Sequence, residues 1–91
     1  MSTLLQRYEV MVPGKVRKQI SRLPIEYQKA VYSSLKSLEE DPFLGKKLED
    51  QLKNKYSLRV GVYRILYEIF KEELIILVVS VAHRGEAYRR K

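Results

Sequence analysis

The sequence has no cysteine and no tryptophan, one histidine, three prolines and four glycines in 91 residues. Without thiols it can form neither a disulfide nor a thiolate metal site, which removes the usual staples of small secreted domains and agrees with a reducing compartment; a cytoplasmic protein is expected. One histidine and scattered carboxylates supply no zinc set, and a cationic surface is a poor place for magnesium, so no cofactor is expected. Gly14, Gly45, Gly61 and Gly85 stand apart, so there is no glycine-rich phosphate loop. Ser57 and Ser80 have no His/Asp partners in a triad-like arrangement, which argues against a serine hydrolase. The longest apolar stretch, Leu74 to Ala82, is interrupted by Ser80 and falls well short of the roughly 20 residues that cross a bilayer. The N-terminus shows no basic-then-apolar leader, and a soluble, unprocessed chain is expected.

What is abundant is positive charge. Eighteen Lys and Arg stand against eleven Asp and Glu, a formal net charge of +7, with 45% hydrophobic and 32% charged residues. A chain of this length buries roughly 60–65% of its unfolded surface, enough for one modest core, so residues 1–91 are expected to form a single domain.

Near the N-terminus, Tyr8, Val10 and Val12 alternate with Arg7, Glu9 and Met11, the period-2 pattern of a half-buried strand, which Pro13-Gly14 ends. Val16, Ile20 and Leu23 then recur at helical spacing among Lys15, Arg17, Lys18 and Arg22. This short helix, with its basic outer face, stops at Leu23-Pro24 because the residue before proline is pushed out of the helical region. Pro24 suits the first position of a second helix, with Glu26 complementing its dipole. Tyr27, Val31, Leu35 and Leu38 form that helix's apolar stripe, and it runs to about Asp41-Pro42. The two helices are expected to make a hairpin on one face of a sheet. Phe43 to Lys55 reads as a loop.

The second half is β in character. Tyr56, Leu58 and Val60 share one parity, as do Tyr63, Ile65, Tyr67 and Ile69, and Gly61-Val62 between them fits a two-residue type II′ turn. That turn pairs Val60 with Tyr63, Arg59 with Arg64, Leu58 with Ile65, Ser57 with Leu66 and Tyr56 with Tyr67. Leu74 to about Ala82 is apolar on both parities, the pattern of a central strand. The order is an α+β arrangement of strand, two helices and three strands.

Like charges directly opposite on a sheet are destabilising, so Arg59 facing Arg64 asks for an explanation. Two guanidinium forks on adjacent strands can hold a phosphate, although exposed arginines also lie flat along sheets simply to cover apolar surface. Arg84 follows the last strand. If that strand is regular to its end, only one of His83 and Arg84 can face the arginine pair. His83 is the one side chain that ordinarily titrates near neutrality, and so is a candidate acid/base group as well as a plain strand-end residue. Tyr88, four residues after Arg84, could anchor the tail or stack on a base. A basic face with tyrosines and one histidine suits nucleic acid.

The run Tyr56-Ser57-Leu58-Arg59-Val60-Gly61-Val62-Tyr63-Arg64-Ile65-Leu66-Tyr67-Glu68-Ile69, followed by Val79-Ser80-Val81-Ala82-His83-Arg84 and Tyr88, resembles the RelE/ParE toxin superfamily. The resemblance extends over nearly the whole chain, including Leu23-Pro24, Asp41-Pro42 and Lys47-Leu48. It implies a β-α-α-β-β-β core with a short C-terminal element, a helical hairpin packed on a mostly antiparallel four-stranded sheet, and a first strand lying beside the last.

RelE-type members are ribosome-dependent endoribonucleases that cut messenger RNA in the ribosomal A site and inhibit translation until an antitoxin neutralises them. The implied chemistry is metal-independent attack of a ribose 2′-OH on the adjacent phosphate. Carried over by position, Arg64 would hold the phosphate, Arg84 would stabilise charge or assist the leaving group, and Arg59 would add a second basic group. Tyr88 would orient the nucleotide and His83 would be a candidate acid/base. Lys47, Lys53, Lys55 and Arg89 are the expected RNA contacts, and a RelB-like antitoxin, the ribosome and mRNA are the implied partners. Ser57 stands where a second lysine occurs in the best-known RelE-type site. ParE-like members share the scaffold and poison DNA gyrase without cutting RNA, which is the alternative reading.

Overall fold

The computed structural model describes residues 7–48 and 54–83. Strand β1 (Glu9–Met11) leads into helix α1 (Gly14–Ser21) and helix α2 (Ile25–Glu40). A 3-10 turn (Pro42–Leu44) precedes β2 (Lys46–Lys47), and β3 (Lys55–Val60), β4 (Tyr63–Phe70) and β5 (Ile75–His83) complete one sheet in the order β1-β5-β4-β3-β2. Among the described strands only β1 and β5 run parallel, and they lie side by side as the family resemblance implies. Among the described residues no helix is long and apolar enough to cross a membrane.

Both helices form on their apolar stripes. Val16 and Ile20 of α1 and Val31, Leu35 and Leu38 of α2 are buried against Ile65, Tyr67, Ile69, Ile76, Val78 and Val81 of the sheet. Pro24 is the residue just before α2, with extended backbone (φ −56°, ψ 149°), one position earlier than the sequence suggests. The entry to β1 is tied to the far end of α2. The Tyr8 N–H donates to the Glu39 carbonyl at 2.8 Å, and the Arg7 guanidinium reaches the carboxylates of Glu39 and Glu40.

Two expectations need correction. The sheet has five strands and not four, because part of the 43–55 segment expected as loop pairs with β3, Lys46 opposite Ser57 and Lys47 opposite Tyr56. The preceding turn is fixed from both ends: the Asp41 carboxylate accepts from the Phe43 N–H, and the Tyr67 hydroxyl reaches Pro42 and Gly45. The last strand is also irregular. Leu66 pairs with Ser80 but Tyr67 pairs with Val78, so β5 carries one extra residue, a β-bulge. Beyond it the Val81 N–H is taken up by the side-chain carbonyl of Gln19 on α1, at 2.8 Å.

Candidate functional site

The β3–β4 hairpin builds the site, and its register is the one read from the sequence, Arg59 opposite Arg64 included. Gly61 has φ +62° and Val62 does not share the positive φ, the sign pattern of a type II′ turn. A side chain at Gly61 would also collide with the Tyr27 ring, which meets Tyr63 edge-on with centroids 4.9 Å apart. Leu58, Val60, Ile65 and Tyr67 face the helices, so alternation sends Ser57, Arg59, Arg64 and Leu66 to the opposite face.

On that face the register forms two rows. Lys46, Ser57, Leu66 and Ser80 make one, and Arg59, Arg64 and Ala82 the next. A cleft of about 370 Å³ opens here, with Leu44, Gly45 and Lys46 on one wall and Ser57, Arg59 and Arg64 across from them. Arg59 and Lys46 are exposed, and Arg64 is half-buried. Ser57 is only 5% exposed, and its hydroxyl has no hydrogen-bond partner among the described residues.

The Lys46 wall is held by a buried phenol. Tyr67 has no exposed surface. Its hydroxyl donates to the Pro42 carbonyl at 2.9 Å and accepts from the Gly45 N–H at 3.0 Å. Burial pushes its pKa from 10.0 up to about 12, against the opposing effect of the Gly45 N–H. Gly45 fits only as glycine, since a Cβ there would lie 2.6 Å from the Tyr67 hydroxyl and 2.8 Å from the Ser57 carbonyl oxygen.

The remaining candidates divide. Lys55 lies on the arginine face but is paired with the carboxylate of Glu68 directly across the hairpin. Lys47 pairs with Tyr56, so it belongs to the opposite parity, at the exposed sheet edge. His83 pairs with Tyr63 and meets its ring edge-on, centroids 5.8 Å apart, while Ala82 occupies the position across from Arg64. The structure therefore does not bring His83 together with Arg59 and Arg64. Arg84, Tyr88, Arg89 and Lys53 lie outside the described residues. Sequence reasoning missed Lys46 as a site residue and Tyr67 as the support of its wall. The pairing that places Lys46 is only two residues long, too short to leave a periodic signal.

Comparison with known proteins gives consistent results. The family model described as the ParE toxin of the type II toxin–antitoxin system, parDE, matches residues 14–88. The toxin RelG of Mycobacterium tuberculosis is 33% identical over 85 residues, spanning 91% of this chain and 98% of that protein. The toxin–antitoxin complex RelBE2 of the same organism contains a chain with 30% identity and a TM-score of 0.78, covering 89% of this chain and 95% of that one. The archaeal RelE–RelB complex from Pyrococcus horikoshii gives 26% identity and a TM-score of 0.76, covering 90% of this chain and 100% of the other. A mutant of the E. coli toxin RelE in the free state shares the fold at 19% identity, with a TM-score of 0.76 over 91% of this chain and 88% of that one.

Proposed function

Since the chain belongs to the RelE/ParE toxin superfamily of type II toxin–antitoxin systems, we propose that it is a metal-independent, ribosome-dependent endoribonuclease acting on messenger RNA. The observation that carries this reading is the arginine pair. Arg59 lies directly opposite Arg64 beside a cleft that Lys46 also lines, so three cationic side chains are gathered where they can bind a phosphate.

In the proposed reaction the ribose 2′-OH adjacent to the cut attacks phosphorus and gives its proton to solvent water, and the P–O bond to the 5′-oxygen breaks as that oxygen takes a proton from water. This yields a 2′,3′-cyclic phosphate and a free 5′-hydroxyl. Arg64 and Arg59 bind the non-bridging oxygens and stabilise the added charge of the phosphorane, the role in which preorganised donors contribute most. Arg84 assists at the leaving oxygen and Tyr88 orients the nucleotide by stacking. With the His83 imidazole on the other face, the rate enhancement rests mainly on charge stabilisation. Lys47, Lys53, Lys55 and Arg89 are proposed as contacts to the RNA around the cut, Lys55 only where RNA displaces Glu68. The domain spans residues 1–91 and works in the cytoplasm, where ribosomes and messenger meet. An antitoxin of the RelB kind is its partner, and covering the cationic face would silence it.

The test is primer extension on a messenger incubated with the protein, with and without programmed ribosomes, beside Arg64→Ala and Arg84→Ala. Cuts at A-site codons that need ribosomes, and that fall at least about 100-fold in each variant, support the reading. Ribosome-independent cuts, or variants that cut like the parent, overturn it. No cuts under any condition would shift the reading to a toxin aimed at a protein such as gyrase, and a supercoiling assay would decide.

A further inference from the structure

The arginine pair does not use everything the cleft offers. Ser57 sits in its floor with a hydroxyl that is buried and has no partner among the described residues, an unfavourable state unless something supplies an acceptor. Lys46 is the residue directly across from Ser57 on the neighbouring strand, on the same face and against the same cleft. Its backbone is held there by the Tyr67 hydroxyl through Gly45, so the ammonium starts from a fixed point. Lys46 and Ser57 thus form one row and Arg59 and Arg64 the next, about 7 Å further along the strands.

We propose that Ser57 and Lys46 are ligands of the same phosphodiester that Arg59 and Arg64 bind, the hydroxyl donating to a non-bridging oxygen and the ammonium supplying a third positive charge. This rests on the ribonuclease reading for its substrate, but not for its geometry. The serine is suited to the task because it is small. A hydroxyl short enough to stay in the floor lets the phosphate settle between the longer cations instead of above them.

The experiment is a titration of the full chain with inorganic phosphate, against chloride at matched ionic strength, followed by the amide shift of Ser57. The parent saturates. Ser57→Ala binds phosphate about tenfold more weakly, yet its thermal midpoint in phosphate-free buffer is no lower than the parent's, because the substitution removes a hydroxyl that has no partner among the described residues. A serine that served only structure would give the reverse, a lower midpoint and unchanged phosphate affinity. Lys46→Gln weakens binding of a 2′-deoxy oligonucleotide, which cannot be cut by this chemistry, and lowers the slope of log affinity against log salt by about 0.7, the signature of one phosphate contact.

Phosphate affinity unchanged in Ser57→Ala, or no phosphate binding by the parent, overturns the proposal. Primer extension keeps the two readings separate. Ribosome-dependent cuts with unchanged phosphate affinity in Ser57→Ala would sink the serine and leave the ribonuclease. Serine-dependent phosphate binding without cuts would do the opposite.

Discussion

Replacing Tyr67 with phenylalanine removes one oxygen atom and keeps the ring in the core. At neutral pH the Gly45 N–H and the Pro42 carbonyl each lose their bond to that oxygen. Two such bonds at about 1 kcal/mol each give a loss of about 2 kcal/mol, or a fall of roughly 8–16 °C in melting temperature for a domain of this size. The pH dependence is the sharper test. The folded pKa of about 12 lies above the ordinary 10.0, so the native state keeps a proton that the unfolded chain gives up. The parent's contribution is fully present below pH 10 and is lost as pH rises towards 12, whereas Tyr67→Phe has no such dependence. The stability gap between them should therefore close by about 1.4 kcal/mol at pH 11 and by about 2 kcal/mol at pH 12. Other titrating groups act in both proteins and cancel. Urea unfolding at pH 8 and pH 11 reads the gap directly. A gap that stays constant over that range would refute the assignment of a buried, doubly bonded phenol.

Gly45→Ala should destabilise the fold by roughly 1–3 kcal/mol, because the new methyl meets the Ser57 backbone carbonyl, which cannot rotate away; a melting temperature equal to the parent's would show that the turn relaxes freely. Gly61→Ala should cost about 1–2 kcal/mol for the positive φ, and it should push the Tyr27 ring off its edge-on packing against Tyr63, visible as altered ring-proton shifts. Arg59→Ala should leave stability unchanged or raise it by up to about 1 kcal/mol, since a like-charge neighbour is removed, while cleavage falls. Equal losses in stability and cleavage would mean that Arg59 serves packing.

The hairpin and its arginine pair are legible in the sequence because two independent signals agree: the glycine that a type II′ turn demands, and the alternation on both sides of it. The helices are legible for a similar reason, since Val16 with Ile20 and Val31 with Leu35 repeat at the helical period and are buried. What stays hidden is non-local. The pairing of Lys46 with Ser57 joins a stretch too short to show a period, and the tie from Tyr67 to Gly45 spans 22 residues. The bulge in β5 is hidden for another reason. A strand apolar on both parities, such as Ile75 to Val79, looks the same before and after a shift of one residue.

That bulge sets the phase between the core and the outer face at the end of the strand. Ile76 and Val78 point inward, and strict alternation would continue with Ser80 and Ala82; the extra residue moves the inward position to Val81 and places His83 beside Tyr63. Straightening the strand with all its residues present would turn the imidazole towards the arginines, Val81 into water and Ser80 into the core. Such a slip cannot pass silently, because the same event that rewrites the site also opens the interior. Shortening the strand by its one surplus residue is the opposite case, since Ser80 and Val81 then keep both their partners and their faces. The end of the strand is therefore open to variation in length at this one point, while packing locks it against sliding.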